Sequence, residues 1–358
     1  MSGGAPHPAL RTDACELFGI RYPIIQTGMG WVANSTLTAA TSAAGGLGIL
    51  AAATLTFDEL EREIAAIKGL TSAPFGVNLR ADQGDVAARV ELMIREKVRV
   101  ASFAQAPGQK VVAQLKEAGV LTMPTIGARR HAEKVSAWGV DAVIAQGHEG
   151  GGHTGPVPTS LLLPDVCDAV SIPVFGAGGF SSGRGLVAAL AYGASGIAMG
   201  TRFLLTQESP VPDAIKARYL KASVTDTLVT TAIDGYPQRV IRTERIDALE
   251  RGGPLGKLWR AVMNALKFRS LSGESVGSLL REGVAMKRGS GLTWSQVAMA
   301  ANAPMMTRAT MVEGREDVGI LPTGQVAGVI GELPTVAEVI ERIMAEAQAT
   351  LTRLGGAP

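Results

Sequence analysis

His148, Glu149 and His153 stand within the ten residues 146–155, among glycines at 147, 150, 151, 152 and 155. Imidazole and carboxylate side chains are the groups that exchange protons near neutral pH. Glycine lets a backbone lie close against a planar or phosphorylated partner. The segment follows an apolar run, residues 142–145, that reads as a buried strand. The spacing therefore predicts an active-site loop at a strand end, beside a cofactor. His153 is the candidate for proton transfer, because it lies among glycines, with Gly152 before it and Gly155 two residues on, and a general acid or base works best with a pKa near the operating pH. His148 and Glu149 are weaker candidates, since loop residues facing solvent are common.

Two further glycine-rich turns point to a phosphate. Gly176-Ala177-Gly178-Gly179 leads through Phe180-Ser181-Ser182 into a helical pattern, and Gly200-Thr201-Arg202 follows the next apolar run. Backbone N–H groups in such turns, with a helix N-terminus, bind phosphate; the alternative is a pair of tight turns with no ligand. A dinucleotide fingerprint would place its glycines between a strand and a helix. The partial match at 46–51 follows a helical stretch and itself reads as a strand, so one phosphate and a mononucleotide such as FMN fit better than FAD or NAD. Gly28-Met29-Gly30, after the first apolar run, would let main chain approach a flat ring. Asn78 and Gln146 interrupt or end apolar runs, and polar side chains there need partners. No His, Cys and carboxylate spacing indicates a metal, and no Gly-x-Ser-x-Gly elbow indicates a serine hydrolase.

The elements that must position these groups are eight short apolar runs, at residues 23–27, 47–52, 75–79, 98–103, 121–126, 142–146, 173–176 and 196–201. Helical patterns separate them, at 56–68, 85–96, 110–118, 128–138 and 183–192, and Thr56 with Glu59 forms a capping-box signature. Strands buried on both faces read as continuous apolar runs. Eight such units predict an α/β fold of the (β/α)8 TIM-barrel type, with an open doubly wound sheet as the alternative. The expected division is a barrel of residues 12–204 plus 311–352, with residues 205–310 a helical, basic insertion near the C-terminal end. Over residues 251–288 eight Arg and Lys face only Glu274 and Glu282. This cluster is either a solvated face or a handle for an anionic substrate such as coenzyme A phosphates. Residues 294–306 are apolar and rich in Met, and residues 335–350 read as a final amphipathic helix.

The net charge of +2 over 358 residues argues against a nucleic-acid or membrane-surface partner, and 4% aromatics argue against a base-stacking surface. Cys15 and Cys167 have no framework spacing, residues 1–10 lack a signal-peptide pattern, and no apolar stretch reaches the roughly 18 residues of a membrane span. The expected setting is cytoplasmic, with homo-oligomerisation left open.

Taken together, Gln26-Thr27-Gly28-Met29-Gly30, Ala44-Gly45-Gly46-Leu47-Gly48, Gly76-Val77-Asn78, the 146–155 loop, Ala177-Gly178-Gly179, Met199-Gly200-Thr201 and Leu321-Pro322-Thr323-Gly324-Gln325-Val326 resemble the nitronate monooxygenase (2-nitropropane dioxygenase) family. That family comprises FMN-dependent TIM barrels related to flavin-dependent enoyl-acyl-carrier-protein reductases. The resemblance implies that Gly28, Met29, Asn78 and Gln146 contact the isoalloxazine and ribityl groups. It implies that Gly151, Gly178, Gly179, Gly200 and Thr201 hold the flavin and its phosphate, that Gln325 approaches the flavin, and that His153 is the proton-transfer residue. The long basic segment, with Leu292-Thr293-Trp294-Ser295-Gln296 and residues 300–306, resembles an actinobacterial branch acting on ring-derived coenzyme A esters in steroid degradation. This implies an acyl-CoA oxidoreductase working with an external electron acceptor or donor, in which Lys257, Arg260 and Lys267 bind the substrate. The alternatives are a nitronate monooxygenase using O2, an NAD(P)H-dependent quinone or enoyl reductase, and a non-catalytic barrel binding FMN or a phosphorylated metabolite.

Overall fold

The computed structural model describes residues 7–251 and 294–355, and for 294–302 the backbone only. In chain order its strands are β1 Ile24–Gln26, β2 Leu47–Ala51, β3 Phe75–Leu79, β4 Val100–Phe103, β5 Leu121–Ile126, β6 Val143–Gln146, β7 Gly152–His153, β8 Val174–Ala177, β9 Gly196–Met199, β10 Thr227–Thr230 and β11 Gln238–Ile241. Eight of them, β1 to β6 with β8 and β9, close into a parallel barrel. The ring is sealed where Ile25 of β1 pairs with Ala198 of β9. The fold is therefore the (β/α)8 barrel, not the open sheet.

The barrel interior is apolar. Ile25, Leu47, Ile49, Val100, Met123, Ile144 and Phe175 pack in one cluster with Ala14, Cys15 and Phe18 of helix Asp13–Phe18. That helix plugs the N-terminal ends of the strands: the Phe18 and Phe175 rings lie 5.8 Å apart, and Thr12 Oγ1 donates to the Ser195 carbonyl just before β9. With this end filled, the opposite, C-terminal mouth is left for ligand, as is usual for the fold.

Glycines in the 44–48 motif serve packing. A Cβ on Gly48 would lie 2.0 Å from the Thr38 carbonyl oxygen, where helix Ser35–Ala43 crosses β2 backbone to backbone. Helices Phe57–Leu70 and Val336–Leu354 both begin with complete capping boxes, Thr56 with Glu59 and Thr335 with Glu338. The last helix returns to the barrel and lies on helix Gly183–Ala191, where a Cβ on Gly183 would come 2.3 Å from the Ile343 oxygen.

The segment after β9 is not wholly helical. Helix Asp213–Leu220 starts only after Pro210 and Pro212, which cannot extend a helix backwards. Strands β10 and β11 then form an antiparallel hairpin, and β11 pairs in turn with β7, Gln238 opposite His153 and Arg239 opposite Gly152. Strands this short carry little alternation to read. Helices Glu244–Arg251 and Trp294–Met311 complete the described part. Met306, from the apolar Met-rich stretch noted in the sequence, is buried with Ile233, Val240, Ile246 and Ile320 in a small core under the hairpin. Among the described residues no helix is long and apolar enough to cross a membrane.

Candidate active site

Every described residue singled out above for cofactor or proton transfer lies at or beyond a C-terminal strand end, or in the segment that returns over the mouth. After β1, Gly28 passes directly over β3: a Cβ on it would lie 2.4 Å from Asn78 Cβ. Asn78 Nδ2 donates to Ser102 Oγ of β4 at 3.3 Å, which fixes the amide plane and leaves its oxygen to accept. Met29 Sδ would lie 3.3 Å from a Cβ on Gly200, so the loops after β1 and β9 touch. Gly28, Met29 and Asn78 thus share one side of the mouth, which meets the loop after β9 at Gly200.

The other side is built from backbone. Gly178 and Gly179 take φ of +94° and +82°, which a side chain would oppose, and a Cβ on Gly178 would meet the Gly150 nitrogen at 2.9 Å. Gly151 leaves no room for a Cβ either, which would come 2.5 Å from the Gly324 nitrogen. Thr201 Oγ1 accepts from Gly324 N–H at 2.9 Å, leaving its own proton for an acceptor such as a phosphate oxygen. Thr201 opens the short helix Thr201–Leu204, whose first N–H groups have no partner within the helix. The helix after β8 is different: Ser182 Oγ accepts from Gly185 N–H, and Glu346 accepts from Gly183 N–H at 2.7 Å. A phosphate here would rest on the Gly178–Gly179 turn and Gly200–Thr201, not on the helix Gly183–Ala191.

These features fit FMN. Consecutive glycines with positive φ, a hydroxyl with a proton to spare and an amide held at a strand end form a surface suited to a phosphorylated flat ring. Gln325 joins the same wall through its N–H, which donates to the Glu149 carbonyl at 2.9 Å. Its side-chain amide donates to Val224 O at 3.3 Å. Gln146 Nε2 donates to the His153 carbonyl at 2.7 Å, so this amide braces the loop and its oxygen remains to accept.

The loop's three titratable groups have separate tasks. Glu149 Oε2 accepts from Thr159 N–H at 2.9 Å and Thr159 Oγ1 at 2.7 Å, an anion at the N-terminus of helix Thr159–Cys167. The His148 Nδ1–H donates to Gly155 O at 2.8 Å. His153 alone is turned outward, with its side chain 62% exposed and Nε2 2.7 Å from Asp234 Oδ2.

Nothing in the sequence marks Asp234 and Arg239 as part of this site. Asp234 is buried in the β10–β11 turn, where its Oδ1 also accepts from Tyr236 N–H at 3.0 Å. Burial pushes its carboxyl up, but the hydrogen bond and charge of His153, with the Tyr236 N–H, outweigh that and hold it below the ordinary aspartate value. In the sequence, Asp234-Gly235 is a turn former and no more. Arg239 is buried too, with its pKa lowered by burial, and its Nη2 donates to the His148 carbonyl at 3.1 Å while Nη1 donates to Thr227 Oγ1 at 2.9 Å. Lys257, Arg260 and Lys267 lie outside the described residues.

A separate cavity of about 460 Å³ is lined by Leu228, Val229, Arg242, Asp247, Glu250 and Arg251. Its arginines are engaged: Arg242 Nε donates to Asp247 Oδ1 and Arg251 Nε to the Asp247 carbonyl. Among the described residues, no three His, Cys, Asp or Glu side chains gather as a metal site.

The family model described as nitronate monooxygenase matches residues 11–89 and 86–346. A (3aS,4S,5R,7aS)-5-hydroxy-7a-methyl-1-oxo-octahydro-1H-indene-4-carboxyl-CoA dehydrogenase of Mycobacterium tuberculosis is 58% identical over 341 residues, covering 94% of this chain and 96% of that protein. The protein of the same name from Rhodococcus jostii is 55% identical over 346 residues, covering 97% and 98%. Among solved structures, FabK from Thermotoga maritima superposes with a TM-score of 0.79 at 35% identity, covering 97% of this chain and 99% of that one.

Proposed function

The chain belongs to the nitronate monooxygenase family and is an oxidoreductase; from that premise we propose that it uses FMN to dehydrogenate a bulky, ring-derived coenzyme A thioester of steroid catabolism. The observation that carries the reading is the pairing at one barrel mouth of an outward-facing imidazole, His153, with a glycine-lined backbone surface that has hydrogen-bonding capacity left over. The substrate class comes from the two CoA-ester dehydrogenases that are similar over nearly the whole chain.

Gly178, Gly179, Gly200 and Thr201 would hold the phosphate, Gly151 and Gln325 the adjoining wall, and Gly28, Met29, Asn78 and Gln146 the ring and ribityl chain. Bound there, FMN supplies a two-electron acceptor. His153 would take the proton from the carbon next to the thioester carbonyl, the most acidic C–H of such a substrate. A base placed for that proton contributes about 10²–10⁴-fold to rate. Lys257, Arg260 and Lys267 would supply positive charge to the coenzyme A phosphates.

The test is anaerobic mixing of the flavin-loaded protein with a bicyclic acyl-CoA, a nitronate or NAD(P)H, following flavin absorbance. Rapid bleaching by the acyl-CoA is the expected result. Bleaching by the nitronate alone would replace this reading with nitronate oxidation, and protein purified without flavin would remove both.

A further inference from the structure

We infer that Asp234 is a positioning residue for His153, selecting which ring nitrogen takes the proton and providing the countercharge once it has been taken. The inference rests on the reading of His153 given above. A buried carboxylate only accepts hydrogen bonds, so the 2.7 Å contact to Asp234 Oδ2 requires His153 Nε2 to carry a hydrogen. In the neutral ring the lone pair is then on Nδ1, the one nitrogen able to act as base. When the substrate C–H bond breaks, its electron pair stays in the substrate and the proton ends on Nδ1. The resulting imidazolium lies against Asp234.

The geometry around the pair keeps the carboxylate in place. Tyr236 N–H holds Asp234 Oδ1 at 3.0 Å, and Gly235, with φ +89°, makes the turn that brings both residues back. The Tyr236 ring stands edge-on to the imidazole, 6.1 Å between centroids. The β7–β11 pairing sets His153 opposite Gln238, and Thr154 N–H donates to the Pro237 carbonyl at 3.0 Å. From the next position of β11, Arg239 sends its guanidinium to the His148 carbonyl, and Glu149 is engaged with Thr159. Of the titratable side chains on the loop and the hairpin turn, Asp234 is thus the one bonded to the His153 ring, with the Tyr236 ring beside it. Asp234 reaches the proton-transfer residue from 81 positions along the chain.

The experiment is a double-mutant cycle on the flavin-loaded protein, using whichever substrate reduces the wild-type flavin, so that failure of the thioester reading leaves the cycle intact. Asp234→Asn should keep the flavin and slow its reduction by about tenfold or more. The acid limb of its pH–rate profile should move to lower pH, because an imidazolium without its countercharge gives up its proton more readily. In a His153→Ala background the same substitution should change the rate by less than about twofold, since residues acting through one another are not additive. Asp234→Glu should recover part of the rate. Ring-nitrogen NMR of the wild type should show His153 with hydrogen on Nε2, and Asp234→Ala should lose that preference. An unchanged rate and pH profile in Asp234→Asn, an equal effect with and without His153, or a ring protonated on Nδ1 in the neutral wild type would each overturn the inference.

Discussion

The two sides of the barrel mouth are built on different terms. The side formed after β8 and β9 uses backbone: Gly178 and Gly179 in left-handed conformations, Gly200, and the start of helix Thr201–Leu204. Its parts come from consecutive barrel strands, braced by Thr159 Oγ1, which lies 3.0 Å from the Gly178 carbonyl, and by Gly324 N–H, which donates to Thr201. The side around His153 uses side chains from outside the barrel. Strand β7 is two residues long and is held by β11, by Asp234 and by Arg239, all from the segment that follows the eighth barrel strand. The contrast suggests a division of labour that follows from the proposed function: the barrel would make the ligand-holding surface, and the hairpin, through β11, Asp234 and Arg239, fixes His153 beside it.

That division can be broken on either side. The largest effect on flavin occupancy is expected at Gly178, where alanine would bring a Cβ to 2.9 Å from the Gly150 nitrogen and 3.1 Å from the Gly147 oxygen at a φ of +94°. Strain of about 1–2 kcal/mol plus that overlap must displace the loop. Flavin stoichiometry in purified Gly178→Ala should fall several-fold while circular dichroism is unchanged; full occupancy would show the turn is not part of the phosphate end. Gly152, with φ +65° and nothing within 4 Å of its Cβ position, is the matched control, and Gly152→Asn should keep its flavin.

On the hairpin side, Arg239→Met should spare flavin binding and slow flavin reduction a few-fold, because the His148 carbonyl loses its guanidinium. Hydrogen bonds to a charged group are worth about 1.5–3 kcal/mol, so a fall of a few degrees in Tm is expected by calorimetry. Loss of flavin in this variant would blur the distinction between the two sides.

The smallest effect concerns pH. Asp234 is held below its ordinary value in the fold, so folding favours its ionised form. That contribution is complete above the unfolded value near about 3.9 and is lost as pH falls through the lower folded value. The gap in Tm between wild type and Asp234→Asn should be present above about pH 4 and should close as pH falls below it; a gap independent of pH would mean that the carboxylate charge does not contribute.

The same contrast explains which parts of the molecule are legible in its amino-acid sequence. The eight barrel strands announce themselves as apolar runs because both faces are buried. The turns at Gly178, Gly179, Gly200 and Thr201 are legible because sharp backbone turns after a strand leave their mark in glycine. His153 is legible from its glycine neighbours. Asp234 and Arg239 are not, since their meaning depends on partners 81 and 91 residues away. The hairpin itself escapes sequence reasoning because four-residue strands flanking a seven-residue turn carry almost no periodicity. Glu149 has the look of chemistry in the sequence and is a helix anion in the fold, a role set by Thr159 and invisible from the loop alone.

One measurement tests the role of His153 most directly: the single-turnover rate of flavin reduction by the acyl-CoA under anaerobic conditions, in wild type and His153→Ala at equal flavin occupancy. The predicted result is a rate about 10²-fold lower or more in the variant, with the flavin spectrum unchanged. An unaltered rate at full occupancy would contradict it and remove His153 from the chemistry.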